Sequence, residues 1–341
     1  MSPSIPLVEV ASLSFGAALL LTPLARRLAV ATGSLDHPNT RKTHPEPTPL
    51  LGGLAVAAAA VLGPVLARSM LGTALRAPHP GILVGAILSL AIGLWDDRRP
   101  MPPWGKLIGQ LLVAALLVYW GTEVPALRAH PLAGAVALLA VAALLNAINF
   151  LDAADGIVAA LVPVTAGGFA ALALLGQAPV NLALAWALVG ACCGFLVYNA
   201  PPARIFLGDA GSHVLGFALA ALGIQALGGG VTWPRVAAVL LLFAYPFFDV
   251  LFVIGDRLLG GRPIYVAGVD HSIHRLGRLC GHWGTLGLVT IAAALNSLMG
   301  IWVWSRARVD LAVGALLISA LAYAVFGFWL RRACPTPGSD T

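Results

Sequence analysis

Charge is what this chain lacks. Only 10% of its 341 residues are Asp, Glu, Lys or Arg, where a soluble globular domain carries about 25%, and that scarcity excludes an ordinary water-soluble fold. Cysteine is scarce as well. Of the four, Cys192 and Cys193 are neighbours in an apolar run and Cys280 and Cys334 stand alone, so neither a disulfide framework nor a cysteine metal site is expected. Alternation of apolar and polar residues at period two is missing, which argues against a membrane barrel. A basic surface interleaved with aromatics is missing too, and with it any reason to expect nucleic-acid binding.

What remains is apolar. Residues of the hydrophobic class make up 59% of the chain and its mean hydropathy is +0.90. Windows of about 20 residues, long enough to cross roughly 30 Å of hydrocarbon as helices, recur along the sequence. They predict an all-α integral membrane protein, a polytopic bundle of about eleven transmembrane helices. These are placed near 6–27, 50–71, 80–95, 104–121, 131–149, 157–175, 179–198, 212–229, 234–254, 283–304 and 309–330. The third is short enough to make ten an alternative count. The 38 glycines and many alanines suit helices that approach closely in lipid. Glu9 interrupts the early apolar run, so the first span is expected to be retained and not cleaved as a signal peptide. Most of the 20 Lys and Arg residues share one side if the loop after the first span is cytoplasmic. That choice puts the N-terminus outside and the C-terminus inside.

The few acids fall on that same side. Asp36, Asp96, Asp97, Asp152, Asp155, Asp209, Asp256 and Asp270 occupy five successive cytoplasmic loops, while the outer loops hold little beyond Glu123 and Asp310. "NAINFLDAADG" (146–156) puts two amides and two carboxylates at the end of an apolar run, where an unpartnered charge costs several kcal/mol. Each motif has a plainer reading: "DDRR" (96–99) also fits a solvated helix end, and "GDAGS" (208–212) a turn in which Ser212 caps the next helix. Taken together they are the ingredients of a metal-assisted phosphate site. Carboxylates suit Mg²⁺ or Mn²⁺, glycines beside Asp209 admit a diphosphate close to the backbone, and a helix N-terminus offers donors to anions. Adjacent Asp96 and Asp97 repel, so one should hold its proton more tightly, although sequence does not say which. Asp249 lies inside the ninth span, equally open to a structural and a site role.

In order and topology, "DHPNTRKTHPEPTPLLGG" (36–53), "DD" (96–97), "NAINFLDAADG", "FLGDAGS" (206–212) and "DHSIHRL" (270–276) resemble the polyprenyl-phosphate N-acetylhexosamine-1-phosphate transferases. The likeness covers nearly the whole chain. It implies one polytopic transferase domain over 1–333 and an enzyme of the cell membrane whose site faces the cytoplasm; the residues of 334–341 themselves read as a short disordered cytoplasmic tail. The loop with Asp36, Pro38, Arg41, Lys42 and His44, and the ending with His271, His274 and Arg275, are similar to the N-acetylglucosamine branch and less so to the phospho-N-acetylmuramoyl-pentapeptide branch.

By this resemblance Asp209 binds magnesium, with manganese as the alternative, and Asp96 and Asp97 sit where the lipid phosphate meets the cation, one of them as base. Asn146, Asn149, Asp152 and Asp155 line the nucleotide and diphosphate pocket. Lys42 belongs to the substrate site, Asn199 and Phe206 contact uracil, and His271, His274 and Arg275 reach the diphosphate or sugar. The implied partners are a UDP-N-acetylhexosamine, polyprenyl phosphate, the bilayer and, as an assembly, a homodimer. Leu50 and Ile273 depart from the family, which often has a basic residue and a histidine there. A rival reading, a secondary transporter, requires acids near the bilayer midplane and paired half-repeats. Only Asp249 answers to the first.

Overall fold

The computed structural model describes residues 5–38, 46–72, 75, 78–122, 124–176, 178, 180–263 and 268–335. In chain order the helices are α1 (Ile5–Thr32), α2 (Gly52–Leu71), α3 (Pro80–Arg98), α4 (Pro103–Tyr119), the short α5 (Pro125–Ala129), α6 (Pro131–Leu151), α7 (Ile157–Leu174), α8 (Leu182–Asn199), α9 (Gly208–Ala226), α10 (Trp233–Leu242), α11 (Ala244–Leu259), α12 (Ser272–Arg306) and α13 (Val309–Ala333). Among the described residues nine helices are long and apolar enough to cross a membrane, and α10 with α11 forms a tenth crossing bent by 73°. The 17-residue α4 stands where an eleventh was expected. The protein is a multi-pass membrane protein of all-α architecture. To the helices is added a pair of two-residue strands, Leu35–Asp36 against Thr48–Pro49, that ties together the two ends of the first loop.

The bundle is organised around α9. That span is 89% buried, while α13 and α1 are largely turned outward. Helix association in lipid depends on close packing, and small residues permit it. A Cβ at Gly53 of α2 would collide with the backbone of Gly211 in α9, and one at Gly93 of α3 with Asp209 and Ala210. Hence α2 and α3 lie directly on the first turn of α9, and α6 packs along the same helix.

Several element ends differ from those read off the sequence, and each difference moves a motif. Helix α3 continues to Arg98, so Asp96 and Asp97 ride on its last turn, not in a loop. Helix α9 begins at Gly208, four residues early, which places Asp209 in its first turn and Ser212 within the helix instead of capping it. Helix α12 starts at Ser272 and kinks at Gly281 (φ +71°), so His274 and Arg275 lie on a helix. The ninth span breaks at Phe243, between α10 and α11.

Candidate active site

Four helix ends meet at one end of the bundle. Asp97, on the last turn of α3, accepts the backbone N–H of Asp209 at 2.8 Å and of Ala210 at 3.1 Å, so its carboxylate caps α9. These are the helix-terminus donors that the sequence offers to a diphosphate. In the structure Asp97 occupies them, because a fixed carboxylate at the positive end of α9 satisfies them within the fold. Gly208 makes the approach feasible: it holds φ +75°, and a Cβ there would lie 2.9 Å from Asp97 Oδ2 and 2.8 Å from the Leu50 carbonyl.

Lys106, in the first turn of α4, joins Asp96 and Asp209. Its Nζ is 2.9 Å from Asp96 Oδ2 and 3.0 Å from Asp209 Oδ2, and Asp96 Oδ1 accepts the Met101 N–H at 2.6 Å. Asn149, near the end of α6, donates to Asp209 Oδ1 and, at 2.9 Å, to Ser212 Oγ. Asp152 follows α6 directly. Burial, and then the negative charges of Asp209 and Asp97, push its carboxyl well above the usual carboxylate range. The adjacent acids Asp96 and Asp97 thus separate by partner: one holds Lys106 and the other holds α9.

Behind this cluster runs a second line of polar contacts. Asn146 and Gln110 exchange hydrogen bonds of 2.7 and 3.1 Å, Gln110 meets His213 Nε2 at 3.1 Å, and His213 Nδ1 lies 2.7 Å from the Asp209 carbonyl. Asn146, expected in the nucleotide pocket, is therefore committed to supporting α9. Lys106, Gln110 and His213 were not singled out from sequence. The usable signal for the first two was spacing, since four residues put both on one face of α4.

Other expected site residues build the walls. Asn199 is buried, accepting from Gly156 N at 3.1 Å and donating to the Ile205 carbonyl at 2.9 Å; its amide fixes the 200–207 loop. Asp155 accepts the Ala203 N–H of the same loop at 2.9 Å. Phe206 is half-buried there, and its backbone pairs with Pro49 and Gly52, locking the loop to the start of α2. His271 lies beside the end of α6, its ring centroid 5.1 Å from that of Phe150, and His274 is 6.2 Å from His271.

The placement of Arg275 differs most from expectation. It is fully buried and donates to Asp256, to the Asp270 carbonyl and to the Cys334 carbonyl, with Phe252 under its guanidinium. Asp256 also meets Arg262 at 2.6 Å and Arg331 at 3.1 Å, and a buried carboxylate so placed draws arginine donors inward before any substrate does. Arg275 therefore serves the fold at the base of α12, away from a diphosphate contact. Lys42 lies outside the described residues.

Whether these residues suit a divalent cation follows from their charge and donors. Asp96 and Asp209 share one ammonium, Lys106, and Asp97 and Asp152 lie close enough to Asp209 to feel its charge, so four carboxyls gather about a single cation beside the Asp209 carboxylate, itself 29% exposed. Among the described residues no three His, Cys, Asp or Glu side chains already converge as ligands. Magnesium asks for less, usually one or two carboxylates with phosphate and water completing the shell. The donor set fits.

The chain is similar to known proteins over most of its length. Residues 79–227 match the model of "Glycosyl transferase family 4". A probable undecaprenyl-phosphate N-acetylglucosaminyl 1-phosphate transferase of Bacillus subtilis is 32% identical over 76% of this chain and 74% of its own length. The decaprenyl-phosphate N-acetylglucosaminephosphotransferase of Mycobacterium tuberculosis is 29% identical over 93% and 89%. A phospho-N-acetylmuramoyl-pentapeptide-transferase of Levilactobacillus brevis is 30% identical over 75% and 84%. With its carboxylates gathered at the membrane-helix ends and relatives matched over most of their length, the chain belongs to the polyprenyl-phosphate N-acetylhexosamine-1-phosphate transferase family, of the glycosyl transferase family 4 type.

Proposed function

We propose that the protein transfers N-acetylglucosamine 1-phosphate from UDP-N-acetylglucosamine to a polyprenyl phosphate, undecaprenyl phosphate as the type case, and releases UMP. The observation that carries this reading is the joining of Asp97, Asp209, Asn149 and Lys106 in one hydrogen-bonded cluster at the ends of α3, α4, α6 and α9. The names of the Bacillus and Mycobacterium relatives support the sugar and the lipid acceptor. The site faces the cytoplasm, with the N-terminus outside, in keeping with the side that holds most of the basic residues.

A phosphate oxygen of the lipid forms a bond to the β-phosphorus of the nucleotide sugar. The bond from that phosphorus to the oxygen bridging the two phosphates breaks, and its electron pair leaves with UMP. A phosphate monoester has its second pKa near about 6, so the attacking group is already largely ionised at neutral pH and needs little from a base. Asp96 and Asp97 accordingly act through what they hold. Asp97 fixes the first turn of α9 and with it Asp209, and Asp96 keeps Lys106 beside Asp209. Positioning and charge neutralisation dominate phosphoryl transfer, and Lys106 supplies one positive charge. Asp209, with Asp152, would hold Mg²⁺, which supplies neutralisation of the charge developing on the phosphate oxygens when bound.

The test uses the detergent-solubilised protein with radiolabelled UDP-N-acetylglucosamine and undecaprenyl phosphate. Label should pass to lipid with Mg²⁺, fail with chelator, and fall by roughly 10²-fold or more in Asp209→Asn, the scale of losing a transition-state electrostatic contact. UDP-N-acetylgalactosamine and UDP-N-acetylmuramoyl-pentapeptide run in parallel identify the sugar. Transfer from none of the three donors would refute the proposal.

A further inference from the structure

A second buried carboxylate carries an imidazole against it. Asp249 lies in α11, past the break in the bent crossing, and is fully buried. Its Oδ2 is 2.6 Å from His271 Nδ1, and its Oδ1 accepts both the backbone N–H of Ser272 at 2.7 Å and the Ser272 hydroxyl at 2.6 Å. Tyr245 closes the group with its hydroxyl 3.0 Å from Ser272 Oγ. Capping α12 needs no more than the two Ser272 bonds. The imidazole bond does something else: with Asp249 Oδ2 accepting from the ring, the N–H sits on Nδ1 and Nε2 is left with its lone pair free. The same ring packs on Phe150, which lies between Asn149 and Asp152 in sequence at the end of α6. Asp249 is thus tied through one side chain to α6, whose Asn149 donates to Asp209.

We propose that Asp249 is a positioning residue for the transfer: it sets the tautomer and direction of His271 so that Nε2 is presented to the sugar diphosphate bound at the end of α6. This rests on the transfer reaction proposed above. The arrangement also explains why a membrane helix keeps a carboxylate in its interior, where charge is costly unless a function and a full set of donors hold it.

The full chain in detergent is assayed for kcat and KM with radiolabelled UDP-N-acetylglucosamine and undecaprenyl phosphate, for three variants. Asp249→Asn removes the acceptor for Nδ1–H. His271→Asn keeps a side-chain N–H for Asp249 but has nothing at the Nε2 position. Ser272→Ala removes the hydroxyl's bond to Asp249 and its contact with Tyr245, and leaves the His271–Asp249 bond and the Ser272 N–H cap in place. The expected result is a fall in kcat of roughly 10- to 100-fold in the first two, the usual scale for outer partners of a working imidazole. KM for the nucleotide sugar should change little, the double variant should be no worse than His271→Asn alone, and Ser272→Ala should keep the wild-type kcat. Wild-type kcat in His271→Asn would overturn the proposal, and that variant decides the matter even where Asp249→Asn does not fold, since Asp249 stays partnered in it. Additive losses in the double variant, tracking a lowered melting temperature, would overturn it as well and leave Asp249 a cap. If the wild-type protein itself transfers no label, the functional reading falls first and this proposal with it.

Discussion

Lys106 is one of only two lysines in a chain with 18 arginines. A compact ammonium fits between two carboxylates where a planar guanidinium would spread across them. Lys106→Met should reduce transfer by roughly 10²-fold and lower stability by about 1–3 kcal/mol. The full penalty for orphaning a buried pair is larger, and partial exposure of Lys106 and Asp209 discounts it. Lys106→Arg should restore stability better than activity, as thermal melting beside the transfer assay would register. Asp96→Asn should be milder than Asp209→Asn, because the amide oxygen that remains still accepts the Met101 N–H while Asp209 still holds Lys106. A kcat for Asp96→Asn as low as that of Asp209→Asn would restore Asp96 to the role of base.

Asp270 gives a pH-dependent counterpart. Burial alone would raise its pKa, but hydrogen bonds and charge from Arg257 and Arg262 outweigh that and hold the carboxyl below the usual range. A carboxylate lowered in the folded state binds its proton less tightly there than when unfolded. Its stabilisation is therefore present above the ordinary Asp pKa and is lost as pH falls through the lower native one. Melting of Asp270→Asn should show a flatter decline over that acid range than wild type, and parallel curves would contradict the assignment. At this scale the acids were readable from sequence because each was costly in so apolar a chain. Their partners were not: nothing local to Asn199 or Arg275 reveals that one clamps Gly156 and Ile205 and the other is buried with Asp256.

The first turn of α9 owes its placement to residues far off in sequence. Asp97 caps it across a separation of 112 residues, which is why apolar patterning starts this helix at 212 and the fold starts it at 208. Gly208→Ala should therefore disrupt activity more than stability. The new methyl meets the Asp97 carboxylate and the Leu50 carbonyl at a left-handed φ, displacing Asp209 by its neighbour. Gly53→Ala acts on packing instead, forcing α2 off the Gly211 backbone, and should cost about 1–3 kcal/mol. Thermal melting of the two variants against transfer rate separates these outcomes. The break between α10 and α11 also escaped the hydropathy window, which sees only an unbroken apolar run. Pro246 offers a physical cause: it has no N–H for the Leu242 carbonyl, where α10 ends.

For the molecule as a whole, length and composition sufficed to specify the class, and the crossings appear where the apolar windows stand. Sidedness is the part argued from basic residues. It predicts that a membrane-impermeant thiol reagent on intact cells labels His130→Cys, exposed before α6, while Arg99→Cys, exposed after α3, reacts only once the membrane is permeabilised. The reverse pattern would turn the bundle over. The account stands or falls on the convergence of distant acids around one cation. The direct measurement is anomalous diffraction from crystals of the protein grown with Mn²⁺ and a non-transferable UDP-sugar analogue. One manganese peak at roughly 2.0–2.3 Å from an Asp209 oxygen, with Asp152 in the same shell and phosphate completing it, is the predicted result. A peak held by other residues, or analogue bound in full with no metal at Asp209, would contradict it.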